Sequence, residues 1–182
     1  MKNYFLFLIV LINSFYIFSQ EIVKDEIDEF EKIRIIETNW LPMYKGLMPG
    51  KTYLFRFSSI DTVKFLDIKI STTNNMVFSI NAGDEKVLLK CNDSLIFKLS
   101  NTGYAITERG GGSEGLWGGN TYGIWIKLTH KNFNYFSDIQ RITKIRIYTN
   151  DGYLEEEISL EKSNEILELY KLFEKTFNKK KH

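Results

Sequence analysis

Apolar and polar residues alternate with a period of two along most of this chain, the rhythm of half-buried β-strands. Lys32 to Thr38, with Ile33, Ile35 and Ile36, reads as a first strand rich in β-branched residues. Pro42 and the Met48-Pro49-Gly50 turn interrupt the pattern. Tyr53, Phe55 and Phe57 then alternate with Thr52, Leu54 and Arg56, and Leu66, Ile68 and Ile70 alternate with Asp67 and Lys69. Met76 to Ile80 is a short strand closed by Asn81-Ala82-Gly83-Asp84. Val87, Leu89 and Cys91 face Leu95, Phe97 and Leu99 across Asn92-Asp93-Ser94, which predicts a hairpin. Those three turn residues also match the N-glycosylation acceptor pattern, read here as turn chemistry. Tyr122, Ile124, Ile126 and Leu128 mark another strand, and Phe133, Phe136 and Ile139, three apart, a short helical turn. Ile142 to Tyr148 and Tyr153 to Ser159 form a second hairpin around Asn150-Asp151-Gly152, where glycine accepts a positive φ.

The last segment changes period. Ser163 and Asn164 stand as capping residues before Glu165, and Ile166, Leu169, Tyr170, Phe173 and Phe177 follow at helical spacing. The expected fold is mainly β: an antiparallel β-sandwich or open barrel of about eight strands, with a short helical turn and one C-terminal amphipathic helix packed on the sheet.

At the other end, Tyr4 to Phe18 carries no charge, Lys2 precedes it, and Ser19-Gln20 closes it. That is the layout of a secretory signal, with cleavage expected after Ser19. The run is shorter than the ~20 apolar residues of a membrane span and contains Asn13 and Ser14. The mature form is therefore expected to be exported, periplasmic or secreted, without a membrane span. The division is residues 1–19 signal peptide, 20–31 acidic lead-in, 32–177 a single β-rich domain and 178–182 a basic tail.

Charge and rare residues narrow the chemistry. The chain has 24 basic and 23 acidic residues, and losing Lys2 with the signal brings the two into balance, so there is no electrostatic case for nucleic acid. The tail Lys179-Lys180-Lys181-His182 reads as a solvated terminus that complements the negative end of the helix before it. Cys91 is the only cysteine, which excludes an internal disulfide and suits a small buried hydrophobe. A reactive thiol needs a His partner, and only His130 and His182 exist. One internal His cannot build an ordinary zinc site. No catalytic residue, metal or cofactor is assigned.

Two segments carry a resemblance. Lys86 to Gly103 (KVLLKCNDSLIFKLSNTG) and Ile142 to Ile158 (ITKIRIYTNDGYLEEEI) resemble stretches of small exported β-rich bacterial proteins of uncharacterised function. The resemblance supports a β-rich fold and brings no catalytic residues with it.

One stretch departs from sheet-and-turn grammar: Arg109-Gly110-Gly111-Gly112-Ser113-Glu114-Gly115-Leu116-Trp117-Gly118-Gly119-Asn120. A phosphate-cradling loop would close with Gly-Lys-Ser/Thr on a helix, whereas this one closes with Gly-Gly-Asn before a strand. Two readings stand. The glycines serve a passive hairpin connection, or Trp117, flanked by Arg109, Glu114 and Tyr122, forms a clasp over a sugar or peptide. Those four residues are the candidate ligand-binding set, and the partner is an unidentified protein or glycan. Glu155 and Glu157 share a strand face at a spacing compatible with the roughly 5–9.5 Å of glycosidase carboxylates. Lys144 and Arg146 opposite them make a solvated cross-strand face the simpler reading. The expected function is an exported, non-catalytic β-rich domain that binds a partner or ligand in the cell envelope or outside it. The alternatives are a secreted glycan hydrolase and a secreted inhibitor or effector. Exposed aromatics such as Trp40 and Trp117 would mark a binder.

Overall fold

The computed structural model describes residues 20–43, 52–72, 77–92, 94–109 and 122–179. The signal segment 1–19, Glu114, Trp117 and the last three residues of the basic tail lie outside these. Nine strands follow one another in a single antiparallel sheet. They are β1 (Ile22–Ile27), β2 (Arg34–Thr38), β4 (Thr52–Ile60), β5 (Val63–Thr72), β7 (Gly83–Cys91), β8 (Leu95–Asn101), β11 (Tyr122–Thr129), β12 (Ile142–Thr149) and β13 (Gly152–Glu157). Their order across the sheet is β1-β2-β4-β5-β11-β8-β7-β12-β13. Four two-residue strands complete the set: β3 (Leu41–Pro42) on β4, β10 (Glu108–Arg109) on β11, and β6 (Ser79–Ile80) paired with β9 (Ala105–Ile106). A 3-10 turn, Phe133–Asp138, precedes β12, and one helix, α1 (Leu160–Phe177), follows β13.

The alternating residues meet as their spacing predicts. Tyr53, Phe55 and Phe57 of β4, Leu66, Ile68 and Ile70 of β5, and Ile124, Ile126 and Leu128 of β11 are all buried in one core. In the first hairpin Cys91 pairs with Leu95, Leu89 with Phe97 and Val87 with Leu99. Leu95 alone of these is 46% exposed, at the turn. Asn92 takes a positive φ of 47° there, and its Oδ1 accepts the Gln140 and Arg141 amides at 3.0 Å. In the second hairpin Thr149 pairs with Gly152, so Asn150-Asp151 is the loop and the glycine, at φ 126°, closes it.

Aromatic rings join the sheet to the helix. Phe57 lies 5.2 Å from Phe136, 5.1 Å from Tyr170 and 5.9 Å from Phe173, and Phe133 stacks on Phe136 at 5.8 Å. Offset and edge-on pairs of this kind add ~0.5–1.5 kcal/mol each beyond the area they bury.

The helix departs from the sequence reading at its start. It begins at Leu160, capped by Ser159, whose side chain accepts the Lys162 amide at 3.2 Å. Ser163, expected as a cap, is buried one turn inside and accepts the Ile142 amide, tying α1 to the start of β12. At the C-terminus Arg34 meets the helix's last carbonyls. Its guanidinium donates to the carbonyls of Thr176, Phe177 and Lys179 at 2.8–3.3 Å, and to both oxygens of Asp25 in β1. The acidic lead-in therefore holds an edge strand.

Lys64 bridges sheet and helix from beneath. Its Nζ donates to Glu174 Oε2 at 2.7 Å and to Asn134 Oδ1 at 2.8 Å, over the Phe177 ring. Partial burial pushes the Glu174 carboxyl up, but hydrogen bonds from Lys64 and Asn178 outweigh it and hold it below its ordinary value. A carboxyl lowered by folding stabilises fully above its unfolded value, near 4.5, and that contribution is lost as pH falls through the lower folded value. Glu174→Gln should therefore flatten the acid limb of the stability curve below pH 4.5; urea melts at stepped pH would show an unchanged slope if the pairing were idle. Phe173→Ala should cost ~3–5 kcal/mol by cavity formation, against less than about 0.5 kcal/mol for the exposed Lys171→Ala. Similar unfolding midpoints for the two would mean that α1 does not carry the core.

Candidate functional site

Along β4 and β5 the residues facing away from the core were expected to be solvated. They are buried: Arg56 is 5% exposed, Asp67 0% and Lys69 4%. Register explains how they meet, since Arg56 pairs across from Asp67, Asp67 from Lys127, and Lys69 from Trp125. Arg56 Nε donates to Asp67 Oδ2 at 2.8 Å, its NH1 group to Glu37 Oε2 at 2.8 Å, and Ser58 Oγ to Asp67 Oδ2 at 2.9 Å. Asp67 Oδ1 is buried and has no hydrogen-bond partner among the described residues.

Two indoles sit over these charges. Trp40 and Trp125 lie 6.2 Å apart, edge to face at 80°. The Arg56 guanidinium is 4.5 Å from the Trp40 ring and 5.2 Å from that of Trp125; Lys69 Nζ is 4.4 Å and 5.5 Å away. Lys127 lies 5.0 Å from the Phe65 ring on the same face. Cation–π contacts of this kind strengthen as water is excluded, reaching ~2 kcal/mol.

A bulge delivers Trp40. From Glu37 to Leu41 the chain takes four steps while β4 takes three, from Ser58 to Phe55. The extra residue breaks the ladder, and Thr38 Oγ1 accepts the Phe57 amide at 3.0 Å in the gap. Bulges commonly re-aim a side chain in this way. Trp125 needs no such device, since it holds an outward position of β11 and is 37% exposed.

Of the residues singled out from sequence, Arg109 and Tyr122 face each other as a β10–β11 pair, which joins the two ends of the glycine segment. Glu114 and Trp117 lie outside the described residues. Trp40 does stand at the surface, half-buried. Arg56, Asp67, Lys69 and Trp125 were missed as a group, because alternation assigns them to solvent. The one available signal was two Trp and several charges on positions that share a sheet face.

The other candidates settle into structural roles. Glu155 bonds Lys144 at 2.8 Å and Arg146 at 2.7 Å, and those hydrogen bonds hold its carboxyl below its ordinary value. A glycosidase acid needs the opposite shift. Glu156, between Glu155 and Glu157 in sequence, instead accepts the Tyr53 hydroxyl at 3.4 Å. Burial pushes the Cys91 thiol up to about 12, far from a reactive thiolate. His130 accepts the Asn132 amide through Nδ1 and packs 4.6 Å from the Phe97 ring. Among the described residues no group of three His, Cys, Asp or Glu is placed to hold a metal. Nor is any helix among them long and apolar enough to cross a membrane. No family model, curated protein or solved structure matches the chain.

Arg56→Met should destabilise by ~3–5 kcal/mol, because it strands the buried Asp67 carboxylate. The double substitution Arg56→Met/Asp67→Leu should recover much of that loss. A double-mutant cycle in urea that shows simple additivity would mean the pair is not coupled.

Proposed function

We propose that this chain is an exported, non-catalytic binding domain that contacts a glycan through the Trp40–Trp125 face. The observation that carries the reading is Trp125. It is an indole more than one-third exposed, held over buried cations instead of being packed into the core. A fixed, amphipathic ring offers large contact area with little entropy to lose. Arg56, Lys69 and Lys127 share the face with Asp67, Glu37 and Glu108, a balanced set that favours a hydroxyl-rich partner over a strongly charged one. For the architecture we favour the open barrel, a reading supported by the approach of Glu156 on β13 to Tyr53 on β4 across the open side of the sheet. The uncharged run behind Lys2 supports export.

Co-sedimentation with purified insoluble cell-wall glycan tests the binding half. Wild-type protein should pellet with the glycan, and Trp125→Ala should bind roughly tenfold more weakly while its circular dichroism still reports a folded β-rich protein. Equal binding by the two, or none by wild type, refutes the glycan face. Mass measurement of protein recovered outside the cytoplasm should find a chain beginning at Gln20 or Glu21; an intact Met1 in the membrane fraction refutes export.

A further inference from the structure

A second concavity lies on the helix side of the fold, away from the tryptophan face. It has a volume of about 290 Å³ and opens between α1 and the 3-10 turn. Phe136, Ile139, Leu167 and the Tyr170 ring form its apolar walls. Lys171 and Lys175 stand exposed on its rim. Four residues apart, they lie above one another on one side of the helix.

The charges there are unbalanced. Glu174 is the one carboxylate lining the cleft, and Lys64 already takes both of its oxygens from the sheet side. Lys171 and Lys175 have no acidic partner among the described residues. Capping the helix does not occupy them either, because Arg34 holds the carbonyls of Thr176, Phe177 and Lys179. An apolar slot with two uncommitted ammonium groups at its mouth complements a molecule with an apolar tail and a negative head. Its volume falls at the bottom of the ~300–1,000 Å³ range of small-molecule sites, which suits one short chain and excludes a two-chain lipid.

We propose that this cleft binds a free medium-chain carboxylate, its chain between Phe136 and Leu167 and its head between Lys171 and Lys175. The Tyr170 hydroxyl at the same opening is already taken up by Ser137 Oγ at 3.5 Å and by Glu174, which leaves the two lysines as the groups that meet the head.

Calorimetric titration of the full chain with decanoate, decanol and decyltrimethylammonium tests it. Decanoate should bind saturably at one site, and the alcohol and the cation roughly tenfold more weakly or worse. Lys171→Glu/Lys175→Glu changes only exposed side chains, so its circular dichroism and unfolding midpoint should stay near wild type while decanoate affinity falls by a similar factor. Leu167→Phe, which fills the slot without altering charge, should weaken decanoate and decanol alike. Equal affinity for decanoate and decanol, an unchanged affinity in the charge-reversed protein, or no decanoate heat at all would each overturn the site. Binding to anionic vesicles without binding to free decanoate would overturn it too, in favour of a membrane contact.

Discussion

Everything in this fold leans on Phe57. Its ring stands where the middle of the sheet meets α1, against Phe136, Tyr170 and Phe173 at once. A nine-strand sheet with one bare apolar face is not stable in water, since that face would expose every inward residue of β4, β5 and β11. Strand alternation gathers the apolar side chains, but the aromatic contact with α1 removes them from water. The peripheral ties follow from that docking. Ser163 reaches β12, Lys64 reaches Glu174, and Arg34 reaches the end of the helix only because the rings have already set where α1 lies.

The opposite face obeys a different rule. Burying Arg56, Asp67 and Lys69 is costly unless each charge finds an opposite charge or an electron-rich ring. The sheet meets that demand with cross-strand pairing and two indoles, so the tryptophans serve stability and present a surface at the same time. This duality explains why the bulge after Thr38 is worth its interruption of the ladder: without the extra residue, Trp40 would not reach the cations beneath it.

The long strands from β4 onward and both hairpins were legible because period-two alternation is a local signal and both turns carry residues that suit them, whereas the short strand expected up to Ile80 shrinks to Ser79–Ile80 and its closing Gly83-Asp84 opens β7. The 3-10 turn was legible from Phe133 and Phe136 for the same reason. Three things were not. β1 is an edge strand whose residues alternate poorly, and its partner Arg34 is fixed by the helix end, far away in sequence. Ser163 has the chemistry of a cap and is used for a tertiary bond, a choice no local pattern reveals. The buried charges of β4 and β5 looked solvated because alternation says which residues share a face, not what covers that face. The candidate site lay in that blind spot.

The place of α1 in the chain has a consequence for how the molecule comes into being. Phe57 belongs to the third long strand, whereas Tyr170 and Phe173 follow every strand in sequence. A growing or threading chain can form its hairpins early, for those contacts are local, but it cannot close its interior until the final segment arrives. Until then the inward rings of β4, β5 and β11 have nothing to cover them, a condition that invites association with other chains. Closure of the interior thus waits for a segment that lies beyond all the strands it covers, and the strands must keep their inward faces apart from other chains until that segment docks.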